Sequence, residues 1–227
     1  MGRGRRWLVV AAATLAVLVV AAAVGRYVWL PTYRPGIHSG ERYGIDVSNH
    51  QGGIDWNAVR RDGIRFAYIK ATEGGDFTDA YFAANWAGAA SAGVDRGAYH
   101  YFTLCTPGAT QAANFLRALP PDRHGELAPA VDLELAGNCR QRPDRAMVDR
   151  ELTTFLSLVE AQTHMPTVLY VGEDFAERYP ATSLLHRPRW RLRFLRRPHG
   201  DWVAWQVDGL AHVNGIHGKV DLDVLRP

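Results

Sequence analysis

The sequence predicts a TIM-like α/β barrel that loses its outer helices in its second half. Three observations carry this reading. From Tyr43 onward, short apolar runs alternate with helix-length stretches, the order of a parallel sheet covered by helices. Residues 43–227 supply roughly 185 positions, fewer than a regular eight-fold β/α barrel usually needs. Beyond about residue 188 the strand-like runs stand too close together for full helices to fit between them.

The first element lies outside that barrel. Gly2-Arg3-Gly4-Arg5-Arg6 precedes an uncharged run from Trp7 to Val24 in which Thr14 is the one polar residue. The run is about the minimum length that spans a bilayer as a helix. Trp7, Tyr27 and Trp29 flank it where interfacial aromatics belong. The arginine cluster predicts a cytoplasmic N-terminus and a single-pass membrane protein whose folded part lies in the periplasm or outside the cell. Ala21-Ala22-Ala23 offers a small-residue cleavage site, so a cleaved signal and a secreted form stand as the alternative. Residues 1–30 hold four of the 26 basic residues and none of the 23 acidic ones, leaving 22 against 23 for the remainder. The folded part therefore has no global charge that calls for nucleic acid. Residues 31–42 read as a polar linker and residues 43–227 as the barrel domain.

Within the barrel, strands are predicted at 43–47, 66–70, 97–102, 129–134 and 167–171, and helices at 55–62, 79–92, 109–119 and 145–163. Trp56, Phe82 and Trp86 fit core positions. Strands follow at 190–195, 202–207 and 219–225 with no room for full helices between them. The stretch 189–194 alternates strictly: Trp190, Leu192 and Phe194 fall on one face, and Arg189, Arg191 and Arg193 on a solvated one.

Asp46, the Asp132/Glu134 pair and Asp221 stand near strand ends, where α/β barrels place their sites. Asp132 and Glu134 are two apart on a strand and project from one face. A carboxylate pair suits glycoside hydrolysis, because a like charge raises the pKa of the acid that must donate a proton. The alternative is that both bind Arg or backbone groups at the strand rim. Asp46 and His50 resemble half of a metal site, but the H-x-x-x-H companion is missing, so no metal site is assigned. Lys70 and Glu73 suit a structural ion pair at the rim.

Read in order, Tyr43-Gly-Ile-Asp46-Val-Ser48, Gln51-Gly, Ile54-Asp-Trp56, Ile69-Lys-Ala-Thr-Glu-Gly74, Gly97-Ala-Tyr-His100, Asp132-Leu-Glu134, Trp205-Gln206 and Val220-Asp221-Leu222 resemble glycoside hydrolase family 25, the Chalaropsis-type lysozymes. The resemblance covers residues 43–226. It implies a barrel of five β/α units followed by three strands lacking full outer helices. It also implies cleavage of the β-1,4 bond between N-acetylmuramic acid and N-acetylglucosamine in peptidoglycan. Glu134 matches the general acid, Asp132 its partner and Asp46 a further catalytic carboxylate. Asp221, Tyr99, His100, Tyr170, Trp205 and Gln206 match positions near the groove, with Trp205 a candidate sugar platform. Substrate-assisted retention is the implied chemistry; inversion through a carboxylate-activated water is the alternative. A non-catalytic peptidoglycan-binding envelope protein on the same fold is the alternative function. The expected partners are glycan strands and, through one N-terminal helix, a membrane. No cofactor, metal or nucleic acid is expected, and the chain is expected to be a monomer. The Arg-rich 187–197 departs from the family, where many members carry an apolar strand.

Cys105 and Cys139 each follow a predicted strand by a few residues. Consecutive parallel strands and an oxidising compartment predict one disulfide between them, with free thiols as the alternative.

Overall fold

The computed structural model describes residues 2–121, 126–180 and 186–227. In chain order the strands are β1 (Arg42–Val47), β2 (Phe66–Glu73), β3 (Phe77–Thr78), β4 (Asp95–Tyr101), β5 (Ala130–Leu133), β6 (Val168–Val171), β7 (Arg189–Leu192), β8 (Ala204–Ala211) and β9 (Val220–Leu225). All but β3 form a closed barrel, in the order β1-β2-β4-β5-β6-β7-β8-β9 with β9 returning to β1; β3 is a hairpin extension of β2. The strands from β1 to β8 pair in parallel around the barrel, while β9 is antiparallel to both neighbours. The short connection 212–219 explains the reversal, since a parallel crossover needs about a dozen residues or more.

The helices are α1 (Arg3–Val24), α2 (Leu30–Thr32), α3 (Trp56–Arg61), α4 (Phe82–Ser91), α5 (Gly108–Ala118), α6 (Arg145–Thr163) and α7 (Glu173–Arg178). A π-helical turn, Gly25–Trp29, joins α1 to α2. Helices α3 to α7 complete five β/α units, and among the described residues no helix follows β7, β8 or β9. Helix α6 shows how local chemistry sets its limits. The Asp144 carboxylate caps it by accepting from Met147 N at 2.8 Å. It ends at His164, which takes a left-handed φ of 58°. Val148, Leu152, Phe155, Leu156 and Val159 form its buried stripe against the barrel.

Inside the barrel, Phe66, Tyr68 and Trp190 fill the space beneath the rim. The Tyr68 and Trp190 rings lie 4.8 Å apart, and Tyr170 meets Trp190 edge-on at 5.4 Å. Gly44 is required here, because a Cβ would stand inside the Phe66 ring.

The apolar helix holds one span of membrane-crossing length, Val10–Thr32, none of it buried. The stretch 31–42 is read from sequence as a linker; Arg42 instead opens β1, and residues 31–41 are laid along the barrel. His212 N donates to Pro31 O at 2.7 Å, Arg34 donates to His212 O at 2.8 Å, and the Tyr43 hydroxyl donates to Pro35 O. Arg197 donates to Gly36 O at 2.7 Å and pairs with the buried Glu41.

The arginine stripe also differs from expectation. Strand β7 ends at Leu192, where its pairing with β8 ends. Of the three apolar residues expected on its inner face only Trp190 is buried; Leu192 and Phe194 are exposed, and Arg193 lies beyond the strand. Without a covering helix or a longer partner register, sequence alternation alone does not extend the strand.

Cys105 and Cys139 are joined in a disulfide with Cα atoms 6.2 Å apart. It links the loops after β4 and β5. Asn138 fastens the same lip by donating to Phe102 O and Glu134 O and accepting from Leu104 N.

Candidate active site

The rim of the barrel encloses a cavity of about 300 Å³. Seven of the strands contribute to its wall: Asp46 from β1, Tyr99 from β4, Asp132 and Glu134 from the end of β5, Tyr170 from β6, Trp190 from β7, Gln206 from β8 and Asp221 from β9. Asp221 reaches this rim from the N-terminal end of its strand because β9 runs backwards, which pairs it directly with Asp46. Ser48, His50 and Gln51 form part of the mouth, in a short turn where Ser48 and Gln51 cap each other.

Burial and mutual repulsion make this a proton-holding site. Burial pushes the Asp46 carboxyl well above the ordinary carboxylate range, and Asp221 and Asp223 add like charge. Asp223 is raised in the same way by burial and by Asp221. Asp46 and Asp223 face each other and share a hydrogen bond, so the two carboxyls titrate as one pair. Trp190 Nε1 donates to the other side of Asp223 at 2.9 Å. Asp132 is raised by burial and then by Glu134. Glu134 is raised by burial and by Asp174, while the Tyr170 hydroxyl donates to it and moderates the shift. Burial pushes Asp221 up to about 6, against a hydrogen bond from Gln206. Among the described residues Asp46 Oδ2, Asp132 Oδ1 and Gln206 Oε1 find no partner. Buried polar atoms are rarely left so, and these belong to side chains lining an open cavity. Among the described residues no cluster of side chains suits a metal ion.

Two residues matched to the groove lie elsewhere. His100 is fully buried on the outer face of β4, stacked on Phe155 at 4.8 Å. Gln111 Oε1 lies 3.0 Å from Nε2 and can only accept, so Nε2 carries the hydrogen and Nδ1 accepts from Thr72 at 2.8 Å. Burial lowers the His100 pKa to about 4, keeping the ring neutral. Trp205 is likewise buried; its Nε1 donates to Arg193 O at 2.8 Å, so its ring offers no face to a sugar. Both sit beside a lining residue on the same strand, and alternation sends neighbours to opposite faces. Trp190 and Asp223 are the residues the sequence reading missed. Asp223 lies two positions from Asp221, a spacing that places both on one strand face.

Lys70 and Glu73 form the expected ion pair, at 2.7 Å. Trp56, Phe82 and Trp86 are buried in the core.

The family model described as glycosyl hydrolases family 25 matches residues 45–216. The chain belongs to this family. It is accordingly a glycoside hydrolase. The Escherichia coli O157:H7 protein named "Uncharacterized protein YegX" is 36% identical over 220 residues, covering 90% of this chain and 79% of the relative. Lysozyme M1 of Streptomyces globisporus is 32% identical over 197 residues, covering 78% of this chain and 65% of the relative. The solved family 25 glycosyl hydrolase from Bacillus anthracis superimposes with a TM-score of 0.77 at 29% identity, over 86% of this chain and 93% of that one. The bacterial lysozyme from Streptomyces coelicolor gives a TM-score of 0.75 at 27% identity, over 84% and 94%.

Proposed function

We propose that the protein is a membrane-held muramidase that cleaves the β-1,4 bond from N-acetylmuramic acid to N-acetylglucosamine in peptidoglycan. The observation that carries the chemistry is the Asp132/Glu134 pair, two half-buried carboxyl groups at one strand end facing the cavity. Glu134, whose pKa burial and Asp174 raise above the ordinary carboxylate range, gives its proton to the glycosidic oxygen as the bond to C1 breaks. Asp132 orients the 2-acetamido group of the muramic acid, whose carbonyl oxygen attacks C1 and forms a cyclic oxazolinium. The Glu134 carboxylate then takes a proton from water as that water opens the ring at C1, returning the starting configuration. Asp46, paired with Asp223, and Asp221, bonded to Gln206, line the sugar-binding wall.

The test is mass spectrometry of peptidoglycan digested by the purified full-length chain and then reduced with borohydride. New muramitol ends are expected; glucosaminitol ends, or no new ends, would sink the reading.

The apolar helix is read as an uncleaved anchor with the barrel exported, on the strength of its length and of the arginines before it. A reporter fused after residue 42 should be active outside the cytoplasm. Activity confined to the cytoplasm would contradict the anchor's orientation.

A further inference from the structure

We propose that the loop 193–196 is a carboxylate-reading subsite that holds the acidic stem peptide of the glycan strand while the neighbouring cavity holds the sugars. The proposal rests on the peptidoglycan reading above and adds which part of the substrate is recognised, and by what.

A second, open cavity of about 590 Å³ lies against the first. Arg193, Phe194 and Arg196 form one side of it and Gln206 and Asp221 another. Gln206 and Asp221 also line the catalytic cavity, so the two spaces are neighbours that share these residues in their walls.

The arginines of 187–197 sort into two kinds. Arg187 is bound to Glu160, and Arg197 to Glu41 and Gly36 O; these are structural. Among the described residues the Arg193 and Arg196 guanidiniums make no hydrogen bond or ion pair. Glu173 and Asp208 also face the second cavity, yet neither comes within ion-pair distance of them. Two unneutralised guanidiniums thus stand beside a cavity whose own wall is acidic.

The loop is built to stay where it is. Arg193 N donates to Gln206 O at 3.1 Å, Leu195 N to Val207 O at 3.0 Å and Arg196 N to Arg193 O at 3.3 Å. Trp205 Nε1 holds Arg193 O from below. Leu195 takes a φ of 54°, a conformation a leucine adopts only when its surroundings enforce it. The result presents Phe194, 55% exposed, between two free cations. An aromatic face flanked by guanidiniums suits the acidic peptide arm of a muramic acid, whose apolar side chains can pack on the ring while its carboxylates meet the two cations.

Electrostatics fixes the direction of that arm. The catalytic cavity is lined by Asp46, Asp132, Glu134 and Asp221 and, among the described residues, by no lysine or arginine. The second cavity sets Arg193 and Arg196 opposite its own acidic wall, so the binding partners for a carboxylate lie on the loop side. A glycan whose muramic acid carries an acidic peptide is therefore held with the peptide toward Arg193 and Arg196.

The experiment compares two soluble glycans, one with free-carboxyl stem peptides and one stripped of stems by an amidase and left with lactyl carboxylates only. The enzyme is the full chain in detergent, wild type or Arg193→Gln/Arg196→Gln. For the stem-bearing glycan the double variant should raise KM about tenfold with kcat unchanged, and its KM should lose most of its salt dependence. For the stripped glycan both enzymes should behave alike, and Arg193→Lys/Arg196→Lys should recover most of the stem preference. Equal loss on both glycans, or none on either, would overturn the proposal. Equilibrium binding by Glu134→Gln protein, with and without the two arginines, reads the same preference without turnover. Failure of wild type to cleave either glycan would overturn the muramidase reading alone, and the binding arm would still decide this one. Arginine-dependent binding to anionic vesicles with no stem preference would replace the peptide by a lipid surface and overturn the proposal.

Discussion

Strands β2 and β7 are both walls of one barrel, yet β2 is buried at every residue but its last, while β7 buries only Trp190. Helices α4 and α5 pack on β2. Nothing comparable follows β7 among the described residues, and Arg191 on its outer face is exposed. What distinguishes the two is the connection each strand makes, which decides whether its outward side chains can be apolar. Strands β8 and β9 sharpen the point. They too lack helices but are almost wholly buried. Residues 31–41 and the loop carrying Trp202 lie over this side, with Tyr33 and Tyr43 packed on the core. A polar strap with a few aromatic residues thus does for one side of the barrel what amphipathic helices do for the other.

The two halves also divide the labour of the site, and the largest expected effect tests that division. Glu134→Gln, in the helix-covered half, should lower kcat by about 10²–10⁴ while circular dichroism and Tm stay as in wild type. A variant that turns over normally would remove the acid from β5. Next in size, Phe155→Ala empties the layer between α6 and the barrel and should cost about 3–5 kcal/mol in urea denaturation. Replacing Cys105 and Cys139 together by Ser releases a cross-link of sequence separation 34 and should cost up to about 3–4 kcal/mol. Its signature beyond stability is faster proteolysis of the loop after Glu134.

The pH dependence runs the opposite way to that of an ion-paired carboxylate. The folded state raises Asp221 to about 6 from an ordinary value near 3.8, so folding favours its protonated form. Its stabilising contribution is complete below about pH 4 and is lost as pH rises through about 6. Asp221→Asn should therefore be more stable than wild type at pH 7.5, by about 1–3 kcal/mol, and match it at pH 4. Calorimetry across that range checks the sign; a variant less stable at pH 7.5 would contradict it. The smallest effect belongs to β7. Leu192 is 40% exposed, so Leu192→Ala should change stability by no more than about 0.5 kcal/mol. A loss as large as that of Phe155→Ala would mean that β7 is covered after all.

The sequence made the helix-covered half legible because its signals are local and agree with one another. Asp144 announces α6, and the apolar spacing from Val148 to Val159 carries it to its end. Spacing alone also yields four of the five barrel helices and the three helix-free strands; the fifth unit comes only from the family resemblance, because α7 is six residues long and too short to show a period. Reading failed where a residue's partner is distant. The run from Arg189 to Phe194 alternates perfectly, yet the strand stops where β8 stops pairing with it. His100 and Trp205 were matched to the groove as neighbours of Tyr99 and Gln206, although period-two alternation already separates each pair. Asp223 was legible by the same rule and overlooked. Trp190 was seen as apolar, but its role depends on a carboxylate 33 residues away. The strap has no periodicity at all; part of its hold on the barrel comes from backbone carbonyls at Pro31, Pro35 and Gly36, which any sequence could supply, and part from the Arg34 and Glu41 side chains, whose partners His212 and Arg197 lie 178 and 156 residues away.

Those fastenings leave no slack between the end of the apolar helix and the first barrel strand. A loose tether would let the mouth of the barrel sweep a hemisphere and graze glycan at many depths. A clamped post fixes its altitude. Were the helix seated in a bilayer, the enzyme would work like a blade set at one height above a bed, trimming whatever glycan lay at that stand-off. Releasing Arg197 from Glu41 and Gly36, rather than altering any group in the cavity, is the change that would widen the layer within reach.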